Sequence, residues 1–147
     1  MVKNYSPKIV AFSCNWSAHH IVDEAEATKI QLPPNVKYIK VMCGGMVTTA
    51  FILRAFELGA DGVFLATCPV EDCHYITGAK RAVEVYENSD KLIEMLGIEP
   101  ERLKLGWFSV YAPKKFEKAI NDFVDEIKKL GPTAIKAKQK TPVSRSS

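Results

Sequence analysis

Four cysteines, Cys14, Cys43, Cys68 and Cys73, carry the reactive chemistry of this 147-residue chain. The last two stand five positions apart in LATCPVEDCHYITG, residues 65–78, with a proline and two acidic residues between them. Such a pair can serve as a disulfide, a dithiol switch, two metal ligands or core packing. A disulfide is the weakest of these readings. The opening MVKNYSPKIVAF has too short an apolar run for a secretory leader, and no apolar stretch is long enough to span a bilayer. That predicts a cytosolic protein, in a compartment where thiols are kept reduced. A dithiol switch is also disfavoured. Redox pairs are normally Cys-x-x-Cys at a helix N-terminus, where the thiol pKa falls; here the spacing is wider, and Glu71 and Asp72 act in the opposite direction.

The elements that position these thiols follow from the hydrophobic pattern. KIVAFS (8–13), VKYIKVM (36–42), DGVFLAT (61–67) and RLKLGWFSV (102–110) are apolar, β-branched or aromatic runs of strand length. Helical patterns alternate with them. A short one lies around Ile21–Lys29. A second places Val47, Phe51, Ala55 and Leu58 on one face and stops at Gly59. A third runs from Ile76 to Gly97, with a break expected near Asn88-Ser89. The fourth repeats Phe116, Ile120, Phe123, Ile127 and Leu130 before Gly131-Pro132 ends it. Alternation of this kind predicts an α/β fold: a four-stranded, mostly parallel, flavodoxin- or Rossmann-like sheet with helices on both faces, in three layers. One domain is expected over 1–132, followed by a basic, flexible tail over 133–147 that carries Lys136, Lys138, Lys140 and Arg145.

In a parallel sheet the strand C-termini share one rim, and ligands bind there. Cys14, Cys43 and Cys68 each follow a predicted strand, and Cys73 sits in the loop after the third. Four of four cysteines are thus sent to one rim. Four thiolates satisfy a structural zinc, a [2Fe–2S] or a [4Fe–4S] centre. The spacing matches neither the paired knuckles of zinc ribbons nor the ferredoxin patterns, so spacing alone leaves the metal open. Gly44-Gly45 after Cys43 allows close backbone approach to a bound group. No dinucleotide fingerprint or Walker sequence occurs. The net charge of +3 comes largely from the tail and gives no footprint for nucleic-acid binding.

FSCNWS, VMCGGMV, FILRAFELGADGVFLATCPVEDCHYITG and IEPERLKLGWFS, followed by FVDEIKKLGP, together resemble the delta-subunit family of the methyl-viologen-reducing hydrogenase, over about residues 8–132. The resemblance implies a [2Fe–2S] electron-transfer subunit. Such a subunit passes electrons between a hydrogenase or formate dehydrogenase and the flavin-bearing A subunit of heterodisulfide reductase, in flavin-based bifurcation. On this reading Cys14, Cys43, Cys68 and Cys73 are the cluster ligands. Two departures stand out. The family typically has Cys-x-x-Cys after the first strand, whereas this chain has Cys14-Asn15-Trp16-Ser17, so Ser17 is either not a ligand position or an oxygen ligand. Met46 replaces a commonly basic residue, which predicts a lowered cluster potential. His74 is expected as a hydrogen-bonding neighbour of the cluster, with His19 and His20 near the same rim. Trp16, Trp107 and Tyr111 are read first as core, then as a water-excluding or docking surface. The competing functions are a thiol–disulfide oxidoreductase using Cys68 and Cys73, and a zinc-stabilised bridging scaffold.

Overall fold

The structure, a computed structural model, describes residues 6–25, 27, 29–69 and 77–133. Its strands are β1 (Ile9–Cys14), β2 (Val36–Val41), β3 (Gly62–Thr67) and β4 (Leu103–Trp107), and its helices are α1 (Ala18–Asp23), α2 (Thr49–Glu57), α3 (Gly78–Met95) and α4 (Pro113–Leu130). All three strand pairings are parallel, in the order β2-β1-β3-β4. The three-layer α/β fold expected from the alternating pattern is therefore the observed one, and the sheet is parallel throughout.

Each face of the sheet has its own core. Ile9, Ala11, Phe64 and Ala66 meet α1 and α4, whose Phe116, Ile120, Phe123 and Ile127 are fully enclosed. Each such side chain stabilises the fold by about 1.5–3 kcal/mol relative to exposure. On the other face Phe12, Val63 and Leu65 pack with Ile52 and Phe56 of α2 and Ile93 of α3. β3 is buried along its whole length, as a central parallel strand must be.

Three local expectations are corrected. The buried face of α2 is Ile52, Ala55 and Phe56; Phe51 and Leu58 are exposed beside the edge strand β2. They line a groove of about 730 Å³ with Ile39, because α2 is too short to cover both β1 and β2. α3 runs unbroken through Asn88-Ser89, since Ser89 is buried and its hydroxyl donates to Thr49 Oγ1 at 3.2 Å, satisfied across to α2. α1 occupies 18–23 rather than 21–29.

At the N-terminal end of the sheet, Arg102 is fully buried. Its guanidinium donates to the carbonyls of Asp61 (3.0 Å), Leu130 (3.4 Å) and Pro132 (3.3 Å) and to the Glu99 carboxylate. The Asp61 carboxylate accepts from the N–H of Lys8 (2.9 Å) and of Thr133 (3.4 Å). Thr133 is buried, and residues 134–147, with the rest of the expected tail, lie outside the described residues. No helix among the described residues is long and apolar enough to cross a membrane.

Candidate metal centre

The chain leaves β1 toward α1 on one face and leaves β3 toward α3 on the other. Since β1 and β3 are neighbours, a crevice opens between their C-terminal ends, the switch point where ligands of open α/β sheets bind. Cys14 is the last residue of β1, and Cys68 follows the last residue of β3. Cys43 lies two residues beyond β2, on the other side of β1. The three thiols therefore lie at the ends of three adjacent strands, and all three are buried.

Backbone contacts close this rim. Asn15 donates to the Val41 carbonyl at 2.7 Å, joining the turns after β1 and β2. One step past the Ser13–Ala66 pair, Cys14 comes level with Thr67. A Cβ on Gly44 would overlap Thr67 Cγ2, and one on Gly45 would stand 2.9 Å from the Gly78 carbonyl oxygen. Only glycines let the Cys43 turn press down onto the end of β3 and the start of α3. Cys43 also shares a cavity of about 270 Å³ with Gly45, Met46, Thr77, Gly78 and Arg81. The first turn of α3 carries no acidic residue, so its N-terminal dipole and Arg81 both favour an anionic group in this cavity.

Among the described residues, no three His, Cys, Asp or Glu side chains gather closely enough to hold a metal ion by themselves. Cys73, the fourth expected ligand, lies outside them, as do Glu71, Asp72 and His74. What the rim does provide is soft sulfur donors, a Cys43 turn held against β3 and α3 by its glycines, and Arg81 lining the cavity beside Cys43. Those features suit a thiolate-held, negatively charged metal centre.

Several large apolar side chains are exposed at the C-terminal ends of the strands. Trp16, Met42, Met46 and Tyr111 follow strand C-termini, Trp107 ends β4, and all five are exposed, Met46 by 58% and Tyr111 by 93%. The aromatics expected first as core are thus surface residues.

Sequence reasoning missed one polar array beside the rim. Ser13 Oγ lies 2.9 Å from His19 Nδ1, and His19 Nε2 lies 3.5 Å from Asp23 Oδ1. The order imitates a hydrolase triad, but Ser13 is fully buried and its hydroxyl donates to the Ile39 carbonyl at 3.3 Å, so it cannot meet a substrate. Its spacing, Ser-x₅-His-x₃-Asp, was the available signal. His20, by contrast, is exposed.

Residues 9–131 match the family model described as methyl-viologen-reducing hydrogenase, delta subunit. The chain is 41% identical over 140 residues to the F420-non-reducing hydrogenase vhc iron-sulfur subunit of Methanococcus voltae, covering 92% of this chain and 94% of the relative. It is 39% identical over 132 residues to the F420-non-reducing hydrogenase iron-sulfur subunit of Archaeoglobus profundus, covering 90% and 96%. A third likeness is of another kind. It is to the A subunit of the Ferredoxin/F(420)H(2)-dependent CoB-CoM heterodisulfide reductase of Methanosarcina acetivorans, at 36% identity over 144 residues. That match covers 96% of this chain but only 18% of the longer protein.

Proposed function

Because the chain belongs to the methyl-viologen-reducing hydrogenase delta-subunit family, we propose that it is an iron–sulfur electron-transfer subunit of a hydrogenase–heterodisulfide reductase assembly. Cys14, Cys43, Cys68 and Cys73 hold a [2Fe–2S] cluster, for which four thiolates suffice. What supports this reading is that three buried thiols, Cys14, Cys43 and Cys68, lie at or just beyond the C-terminal ends of three adjacent strands, β1, β2 and β3. Cys73 falls in sequence between Pro69, which follows β3 closely, and Thr77, which lines the same cavity as Cys43.

When bound, the cluster accepts and releases single electrons. The chain's own contribution is to hold the sulfurs, exclude water and offset negative charge. Arg81 lines the same cavity as Met46 and supplies there the cationic group that Met46 does not. That offsets the lowered potential expected from Met46 alone.

The partners follow from two supports. In the longer heterodisulfide reductase relative the same kind of domain forms part of one chain, which favours the heterodisulfide reductase A subunit in the role of acceptor. The exposed apolar side chains at this end of the sheet, Trp16, Met42, Met46, Trp107 and Tyr111, have the composition that interfaces favour and supply a docking surface. The electron donor is a hydrogenase or formate dehydrogenase, the assembly performs flavin-based bifurcation, and its place is the cytoplasm.

Anaerobic purification with iron and sulfide analysis tests the reading. Near-equal iron and labile sulfide, at two of each per chain, with an EPR signal on reduction, are expected. Alanine at each of the four cysteines in turn should abolish that signal. Stoichiometric zinc would replace the reading with a bridging scaffold, and metal-free thiols that cycle with a disulfide would replace it with a thiol oxidoreductase.

A further inference from the structure

Ser17 stands three residues after Cys14. Its residue exposure is 2%, and its hydroxyl oxygen is buried with no hydrogen-bonding partner among the described residues. Leaving a buried hydroxyl unmet costs about 1–3 kcal/mol, so such a group calls for an explanation.

The usual explanation fails here. Ser17 is the N-cap of α1, where a serine side chain ordinarily accepts from an N–H of the first turn. No such bond forms, and the backbone, at φ −142° and ψ −89°, departs from the extended geometry of a capping serine. The hydroxyl is not spent on the helix.

The turn that holds it points elsewhere. Ser17 N–H donates to the Cys14 carbonyl at 3.2 Å, closing residues 14–17 into a four-residue turn. Such a turn keeps its first and last Cα atoms within about 7 Å. It is the arrangement by which closely spaced ligand pairs present two side chains to one metal. Here the first position is a thiol and the last a buried, unmet hydroxyl.

We propose that the Ser17 hydroxyl is a hydrogen-bond donor to a sulfur of the iron centre held at Cys14, an inference that rests on the iron–sulfur reading above. An aliphatic alcohol keeps its proton at neutral pH, and four thiolates already complete the ligand set of a two-iron centre. Ser17 therefore donates to sulfur rather than binding iron. Donation to sulfur favours the reduced, more negative state and raises the reduction potential. It also supplies the partner the hydroxyl otherwise lacks.

The test compares the wild-type holoprotein with Ser17→Ala and Ser17→Thr, each loaded with iron and sulfide under anaerobic conditions. Ser17→Ala should bind as much iron and sulfide as wild type and keep its EPR g values, but show a more negative midpoint potential. Ser17→Thr keeps the hydroxyl and should stay close to wild type. Electron–nuclear double resonance on the reduced protein should find an exchangeable proton coupled to the cluster in wild type and not in Ser17→Ala. An unchanged potential with an unchanged proton coupling in Ser17→Ala overturns the proposal. Loss of iron or altered g values in that variant overturns it as well, since Ser17 would then be an iron ligand. A wild-type protein that takes up no iron sinks the iron–sulfur reading itself, an outcome distinct from either of these.

Discussion

Gly45 and Gly78 pass so close that a methyl group on Gly45 would stand 2.9 Å from both the α-carbon and the carbonyl oxygen of Gly78. The contact joins the turn after Cys43 to the first residue of α3, backbone against backbone. Nothing flexible can yield. Gly45→Ala should therefore destabilise the protein by about 1–3 kcal/mol, the usual range for overpacking. Because the strain falls on the cysteine-bearing turn, bound iron should drop further than thermal stability alone explains. Iron content measured beside a thermal melt checks this.

The apolar rim should matter to a partner and not to the fold. Trp107 and Met46 are 43% and 58% exposed. Replacing both with serine should change stability by no more than about 0.5 kcal/mol. Affinity for the heterodisulfide reductase A subunit should fall at least about tenfold, since interface aromatics are frequent hot spots. Titration calorimetry with that purified protein measures it; unchanged affinity would move the docking surface elsewhere.

At the other end of the sheet, Arg102→Met removes the donor shared by the Asp61, Leu130 and Pro132 carbonyls. A loss of about 3 kcal/mol is expected, the range for breaking a buried charged network. Chemical denaturation is the readout. Iron binding by the folded fraction should be unaffected.

Glu99 gives that network an acid limit. Its hydrogen bond from Arg102 holds its carboxyl below the ordinary value of 4.5. A carboxyl whose pKa is lower folded than unfolded adds stability above the unfolded value and loses it as pH falls through the folded one. Wild type should therefore lose stability on acidification below about pH 4.5, more steeply than Glu99→Gln. Denaturation midpoints across that range would show parallel profiles if the carboxylate contributes nothing.

Tyr38 invites the opposite outcome. Burial pushes its phenol well above its ordinary value, and its oxygen has no hydrogen-bonding partner among the described residues. Its ring packs against Phe116, with centroids 6.3 Å apart. Tyr38→Phe keeps that packing and removes a polar atom, so it should leave stability unchanged or raise it by about 1 kcal/mol. A lower melting temperature would mean the hydroxyl is satisfied in solution.

Much of this was legible in the sequence, and the residues explain why. Runs such as GVFLAT carry a fully buried parallel strand's signature, so strand ends, and with them Cys14, Cys43 and Cys68, could be placed from pattern alone. The face of α2 could not. Phe51 and Leu58 share a helical stripe with Ala55, yet what decides burial is how far a nine-residue helix reaches across the sheet, which periodicity does not encode. Asn88-Ser89 looked like a breaker because the hydroxyl of Thr49, forty positions away, is invisible to local propensity. Arg102 and Asp61 left no signal either, since a buried cation satisfied by distant carbonyls reads locally as an ordinary charged residue. Ser17 departs visibly from the family pattern, but its unmet oxygen depends on burial that the sequence does not encode.

The Asp61 carboxylate has one further consequence. It holds both Lys8, where the chain enters β1, and Thr133, where the described chain leaves the fold. Entrance and exit thus sit side by side, at the pole away from the thiols. A domain with neighbouring doorways can be spliced into a longer polypeptide without cutting through its working surface, so an artificial fusion at either doorway should leave the thiol-bearing rim at the opposite pole undisturbed.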